Sequence, residues 1–152
     1  MTFNFKKYAE REALDYLSFV WSEARLVIAS LALFLGGRPP AIALNPLPFL
    51  YGIVSLLLWL SWIVSGLVSV YLLIRWNQNK RMIFGKNDKK TTYAFFVNII
   101  SGLNLGVAGF LGQNLGMRIS SNYSVFIVVG VVYLISAYIL FRGWKSNKEK
   151  VF

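Results

Sequence analysis

The chain has 152 residues, room for one domain; 57% of them are hydrophobic and 14% charged, far from the roughly even apolar share and quarter charged of soluble domains. It has no cysteine and no histidine, which removes disulfides, thiolate nucleophiles, thiolate-held metals, the commonest metal ligand and the usual neutral-pH proton shuttle. The 16 Lys and Arg outnumber 6 Asp and Glu, but they fall between long apolar runs, so the composition reads as membrane and no nucleic-acid partner is expected.

Lys6, Lys7 and Arg11 come first, and Glu10, Arg11, Glu12 and Asp15 separate them from the first apolar stretch. A cleavable signal peptide would have its apolar core directly after the basic start, so a retained, partly amphipathic entry helix is expected. The uncharged segment Leu26 to Gly37 makes only about 18 Å of helix, too little for a core of roughly 30 Å, so the first span is placed at residues 17–37. That puts Glu23 and Arg25 inside the membrane. An ionisable group at such depth is a functional candidate because removing it from water is costly, although a long side chain near a helix end can also reach the interface. The two are two positions apart, on different helical faces, so each is expected to find a partner on another helix, with Asn98, Asn104 and Asn114 available.

All four prolines follow, in the loop 38–48: Pro39, Pro40, Pro46 and Pro48. Proline stiffens the segment, and the apolar Ala41 to Leu44 between them suggests that it lies against the membrane or another subunit. The second span, residues 49–74, is uncharged. A basic loop, 75–92, then carries Arg75, Lys80, Arg81, Lys86, Lys89 and Lys90.

The third span, 93–117, places Gly102, Gly106, Gly109 and Gly116 on one helical face, where small residues let backbones approach in the absence of a hydrophobic drive. The fourth span is 121–141, and Arg142, Lys145, Lys148 and Lys150 close the chain in a basic tail, 142–152. The side opposite the basic loops holds only Arg38 and Arg118. Positive charge is retained on the cytoplasmic side of short loops, so both termini are placed in the cytoplasm of a plasma (inner) membrane, against anionic headgroups.

The end of the second span repeats at the end of the fourth. Ser69, Tyr71, Leu73 and Arg75 match Ser136, Tyr138, Leu140 and Arg142; with Gly143 as an insertion, Trp76, Asn79, Lys80 and Phe84 match Trp144, Asn147, Lys148 and Phe152. The first and third spans echo one another more faintly, Tyr16, Phe19, Val20 and Leu26 against Tyr93, Phe96, Val97 and Leu103. The expected fold is therefore an all-α, integral membrane four-helix bundle, built as two tandem hairpins about a pseudo-twofold axis along the membrane normal. Trp76, Phe84, Trp144 and Phe152 are expected as interfacial anchors.

No GxxxxGK[ST], HExxH or nucleophile-elbow motif occurs, and the carboxylates are too scattered to pair as acid and base. Neither enzyme activity nor a cofactor is expected. The first expectation is a membrane subunit or scaffold acting through helix packing, with a homo-oligomer or a membrane-protein partner. The alternative is a small dimeric transporter or channel with a polar site at Glu23, Arg25, Asn98 and Asn104. Four spans with one carboxylate in the first resemble the small multidrug-resistance transporters; that family's short loops and overall length are not matched, and no residue role is carried over.

Overall fold

A computed structural model describes residues 10–44 and 47–152; Lys6, Lys7 and Pro46, named above, lie outside the described residues. The helices are α1 (Arg11–Phe34), α2 (Pro40–Ala43), α3 (Tyr51–Gln78), α4 (Lys89–Leu111), α5 (Leu115–Ile119) and α6 (Tyr123–Ser146), with one 3-10 turn at Pro48–Leu50 before α3. At 1.5 Å per residue α1, α3, α4 and α6 run about 36, 42, 35 and 36 Å. These four are long and apolar enough to cross a bilayer, and the chain is an all-α, multi-pass membrane protein.

Local chemistry sets where the helices stop. Asp88 caps α4, its carboxylate accepting from the Thr91 N–H and hydroxyl at 3.0 Å each, and Asn122 caps α6 through the Ser124 N–H at 2.8 Å. At the far end of α4, Gly112 adopts φ +66°, a left-handed conformation that glycine enters without strain and that ends a helix. Asn114 then starts α5 by accepting from the Met117 N–H. The third span thus ends at Leu111 rather than running to residue 117. α1 begins at Arg11 as one unbroken helix, so the amphipathic entry segment and the first span are the same element.

The bundle has two chemically distinct ends. The basic end holds the start of α1, the loop between α3 and α4, and the C-terminal tail; the proline end holds α2, the 3-10 turn and α5. Around the bundle, α3 packs most extensively on α4 and α1 on α6, the pairs α4–α6 and α1–α3 less so; α1 touches α4 across the middle, and α3 and α6 do not meet among the described residues.

The α3–α4 contact rests on small residues. Gly66 and Gly106 face each other so closely that a Cβ on Gly66 would lie 2.6 Å from the Gly106 Cα. A Cβ on Gly109 would lie 2.8 Å from the Ile63 Cγ1, and one on Gly102 would strike Ser69. Gly102, Gly106 and Gly109 are therefore covered by α3 within one chain. Gly116 falls beyond the break at Gly112, in α5, and does not share that face.

At the basic end the core is continuous: Phe19, Leu72, Ile83, Phe84, Phe95, Ile99, Leu140, Trp144 and Val151 form one buried cluster. Two tails close it, and they have the same backbone form. Lys80 and Arg81 have φ +53° and +61°, and Lys148 and Glu149 have +52° and +64°. In the first, Arg81 N–H donates to Trp76 O at 3.0 Å and Asn79 Nδ2 to Met82 O at 2.9 Å; in the second, Glu149 N–H donates to Trp144 O at 3.1 Å and Asn147 Nδ2 to Lys150 O at 2.9 Å. The tails join through Phe84 N–H to Val151 O, 2.9 Å. Phe84 packs edge-on against Phe19 at 5.4 Å beneath Gly143, where a Cβ would come within 2.6 Å of its ring. The inserted glycine makes room for the phenylalanine of the other tail.

Of the four aromatic residues expected at the lipid interface, two are turned into the core and two are half-buried against the protein. Phe84 and Trp144 are buried. Trp76 packs on Phe96 at 5.0 Å, and Phe152 lies under the Arg75 guanidinium at 5.5 Å. Arg75 also makes a two-pronged pair with Asp15, Nε to Oδ1 at 2.7 Å and Nη2 to Oδ2 at 2.6 Å, while the Tyr71 hydroxyl donates to the same Oδ1 at 2.8 Å.

Candidate functional site

Midway along the bundle α1 and α4 bring their polar residues together. Arg25 lies 14 residues into α1 and nine from its end, about 21 Å and 14 Å of helix respectively, hence well inside a helix long enough to cross a bilayer. An arginine at that depth costs roughly 2.5–3.5 kcal/mol on insertion scales, so its partners matter. Its Nη1 donates to Ser101 Oγ at 3.0 Å, and its Nη2 donates to Asn98 O at 2.8 Å, to Asn98 Oδ1 and, at 3.4 Å, to Ser22 Oγ. Ser22 Oγ in turn donates to Asn98 Oδ1 at 2.8 Å. All of these acceptors are neutral. The Arg25 Nε is buried without a partner.

Asn98 is the hinge of the network. Its carbonyl side holds Arg25 and Ser22, and its Nδ2 donates to Glu23 Oε1 at 3.0 Å. The structure therefore brings Glu23, Arg25 and Asn98 together, with the amide between the two charged groups. Asn104 stands outside this network, in the wall of the cavity that also takes Arg25: its Nδ2 donates to Asn114 Oδ1 at 2.9 Å and its Oδ1 accepts from the Gly116 N–H at 3.1 Å, tying α4 to α5 at the proline end. Ser101 and Ser22, the latter not singled out in the sequence, complete the network. Their spacing was the available signal, since Ser22 with Arg25 and Asn98 with Ser101 are both i,i+3 pairs on one helical face.

Toward the proline end the helices part around a cavity of about 610 Å3. Its wall takes residues 21–33 of α1, 58–65 of α3, 101–108 of α4 and 125–133 of α6, with Pro39, Pro40 and Ala41 and part of α5 at the rim. Among the described residues Arg25 is the one charged side chain in this wall; Glu23 is not part of it. Two indoles are fixed there by their N–H groups, Trp21 to Ser65 Oγ at 3.2 Å and Trp59 to Gly109 O at 2.7 Å. The proline-rich segment, expected against lipid or another subunit, supplies part of the cavity's rim.

The fold and site together define a polytopic helical membrane protein with a cavity between its long helices that a buried arginine helps to line. Comparison with protein-family models, with curated proteins and with solved structures finds no match.

Proposed function

We propose that the chain is a non-enzymatic membrane carrier of small molecules, with the proline end facing away from the cytoplasm. The observation that carries this reading is the change in packing along the bundle. The basic end is filled by an aromatic core and two interlocked tails, whereas the proline half surrounds a cavity of about 610 Å3, within the roughly 300–1,000 Å3 of small-molecule sites. A bundle that served only to pack would have no use for a space of that size above a buried arginine. The cavity is formed by one chain and needs no second copy. The scaffold reading, the first expectation from the sequence, drew on the glycine face for helix association, and α3 covers Gly102, Gly106 and Gly109 within the chain.

The crowding of Lys and Arg at the basic end supports an orientation with that end and both termini in the cytoplasm of a plasma membrane, on anionic headgroups. We also infer that the hairpins α1–α3 and α4–α6 arose by duplication. Eight identities between residues 69–84 and 136–152 and the matching left-handed turns and hydrogen bonds of the two tails support it. Parallel repeats of this kind permit alternating access by one hairpin rocking against the other.

The chain has no cysteine, so single-cysteine variants report accessibility directly. With a membrane-impermeant maleimide, Ser61→Cys on the cavity wall is expected to label from outside the cell, Asn87→Cys in the basic loop only from inside, and Ile99→Cys in the closed core from neither side. Protection of Ser61→Cys from both sides would overturn the carrier reading. Labelling of Asn87→Cys from outside would overturn the orientation.

A further inference from the structure

We propose that the cavity binds an amphipathic monoanion, a carboxylate or phosphate on an apolar body, with its headgroup at Arg25. The inference deepens the carrier reading and rests on it. Arg25 is 7% exposed, its guanidinium is ionised at any physiological pH, and every hydrogen-bond acceptor it meets is neutral. Its Nε has none at all. The nearest carboxylate, Glu23, is joined to it only through Asn98, from the far side of the amide. A molecule entering from the proline end thus meets one fixed positive charge that has no ion-pair partner among the described residues.

The rest of the wall selects the other half of the ligand. Ile28, Leu58, Trp62, Leu105 and Val129 are apolar and span all four long helices, so the body of the ligand is expected to be hydrocarbon or aromatic. The guanidinium fork matches the planar geometry of a carboxylate and two oxygens of a phosphate. One cation calls for one anion: a second negative charge would lack a counterpart, and a cationic amphiphile would be repelled. The shared chemistry is that of a fatty acid or anionic lipid in the bilayer and of an aromatic or aliphatic acid taken from water.

The probes are 4-(1-pyrenyl)butyrate, the matching alcohol and the matching ammonium, three ligands of like shape that differ in charge. Protein in phosphatidylcholine nanodiscs would be titrated with each, reading energy transfer to pyrene from Trp21, Trp59 and Trp62 in the cavity wall, with empty discs correcting for partition. The butyrate is expected to bind at least about tenfold more tightly than the alcohol, and the ammonium weakest. Arg25→Gln should remove the preference and Arg25→Lys retain part of it, with circular dichroism showing that each variant is helical. Ala29→Trp, which fills the cavity one helical turn from Arg25, should weaken all three.

Equal binding of butyrate and alcohol to the wild type would overturn the anion proposal and leave the cavity intact, a result that holds even if Arg25→Gln fails to fold. No saturable binding by any probe, with Ala29→Trp indistinguishable from wild type, would overturn the carrier reading as well. Competition assigns the source. Displacement of the butyrate by phosphatidylglycerol or dodecanoate in the disc supports a bilayer lipid, displacement by added, water-soluble 4-phenylbutyrate alone supports a solute acid, and displacement by none of them overturns the proposal.

Discussion

The crossing of α3 on α4 gives the most direct test of the fold. A methyl group added at Gly66 would stand 2.6 Å from the Gly106 Cα, whereas ordinary contact is 3.4–4 Å, and the obstacle is backbone, which cannot rotate away. The helices must part by about 1 Å, and in a close-packed interface overpacking of that size costs about 1–3 kcal/mol. Gly52, in the same helix, has nothing within 4 Å of its Cβ position, so Gly52→Ala should be neutral or gain up to about 1 kcal/mol from helix propensity. Unfolding by sodium dodecyl sulfate in mixed micelles, followed by tryptophan fluorescence, measures both. Gly66→Ala is expected well below wild type and Gly52→Ala at or above it. The double variant Gly66→Ala with Gly106→Ala should cost less than the sum of the singles, because one methyl has already parted the helices. Equal stability of Gly66→Ala and Gly52→Ala would refute the crossing and with it the placement of the glycine face inside one chain. Glu23→Gln, which keeps the acceptor for Asn98, should be milder than Gly106→Leu or Gly109→Leu.

Other expectations concern the basic end. Asp15→Asn removes the charged acceptor of Arg75 and Tyr71, a loss of about 1.5–3 kcal/mol in the same assay; a change below about 0.5 kcal/mol would mean that the pair is solvated like an exposed one. Phe84→Ala empties a buried site and should cost about 3–5 kcal/mol, while Phe152→Ala, half-buried under Arg75, should cost about 1 kcal/mol; the reverse order would contradict the way the tails interlock. The Thr91 N–H and hydroxyl hold the exposed Asp88 carboxyl below its ordinary 3.8. Its folded value being depressed, the cap acts fully above 3.8 and fails as pH falls through the lower folded value. The exchange protection of the Thr91 amide should follow that course, and Asp88→Asn should keep its protection in acid; protection that rises on acidification would contradict the cap.

The four helices were legible in the sequence because a bilayer imposes a length and a polarity on anything that crosses it. Helix ends were less so. The third span reads as apolar through Met117, and only the left-handed Gly112 followed by the capping Asn114 reveals that the polar segment 113–114 breaks it. Within the site, the meeting of Glu23, Arg25 and Asn98 follows from the need of buried ions for partners. Asn104 was an equal candidate in the sequence, and only the packing of α1 against α4 separates it from them. The cavity had no signature at all, since a wall of tryptophan, leucine and valine reads the same whether it faces lipid or an internal space. Asp15 lay hidden for a related reason: counted with the charges preceding the first span, it is buried because α1 begins six residues before residue 17.

The proposed duplication makes one more demand on the site. With Tyr16 laid on Tyr93, Arg25 falls on Gly102, and in the folded chain the Arg25 Cζ stands 3.2 Å from where a Gly102 Cβ would be. The arginine of one hairpin fills the space that its counterpart leaves open. Two arginines there would collide and bring two like charges together in a low-dielectric interior, so only one copy can carry the cation, whichever copy it is. Gly102→Arg alone should therefore abolish the folded protein, its side chain meeting both the Arg25 guanidinium and Ser69 of α3. A Gly102→Arg variant as stable in detergent as wild type would show that neither α1 nor α3 closes on this position.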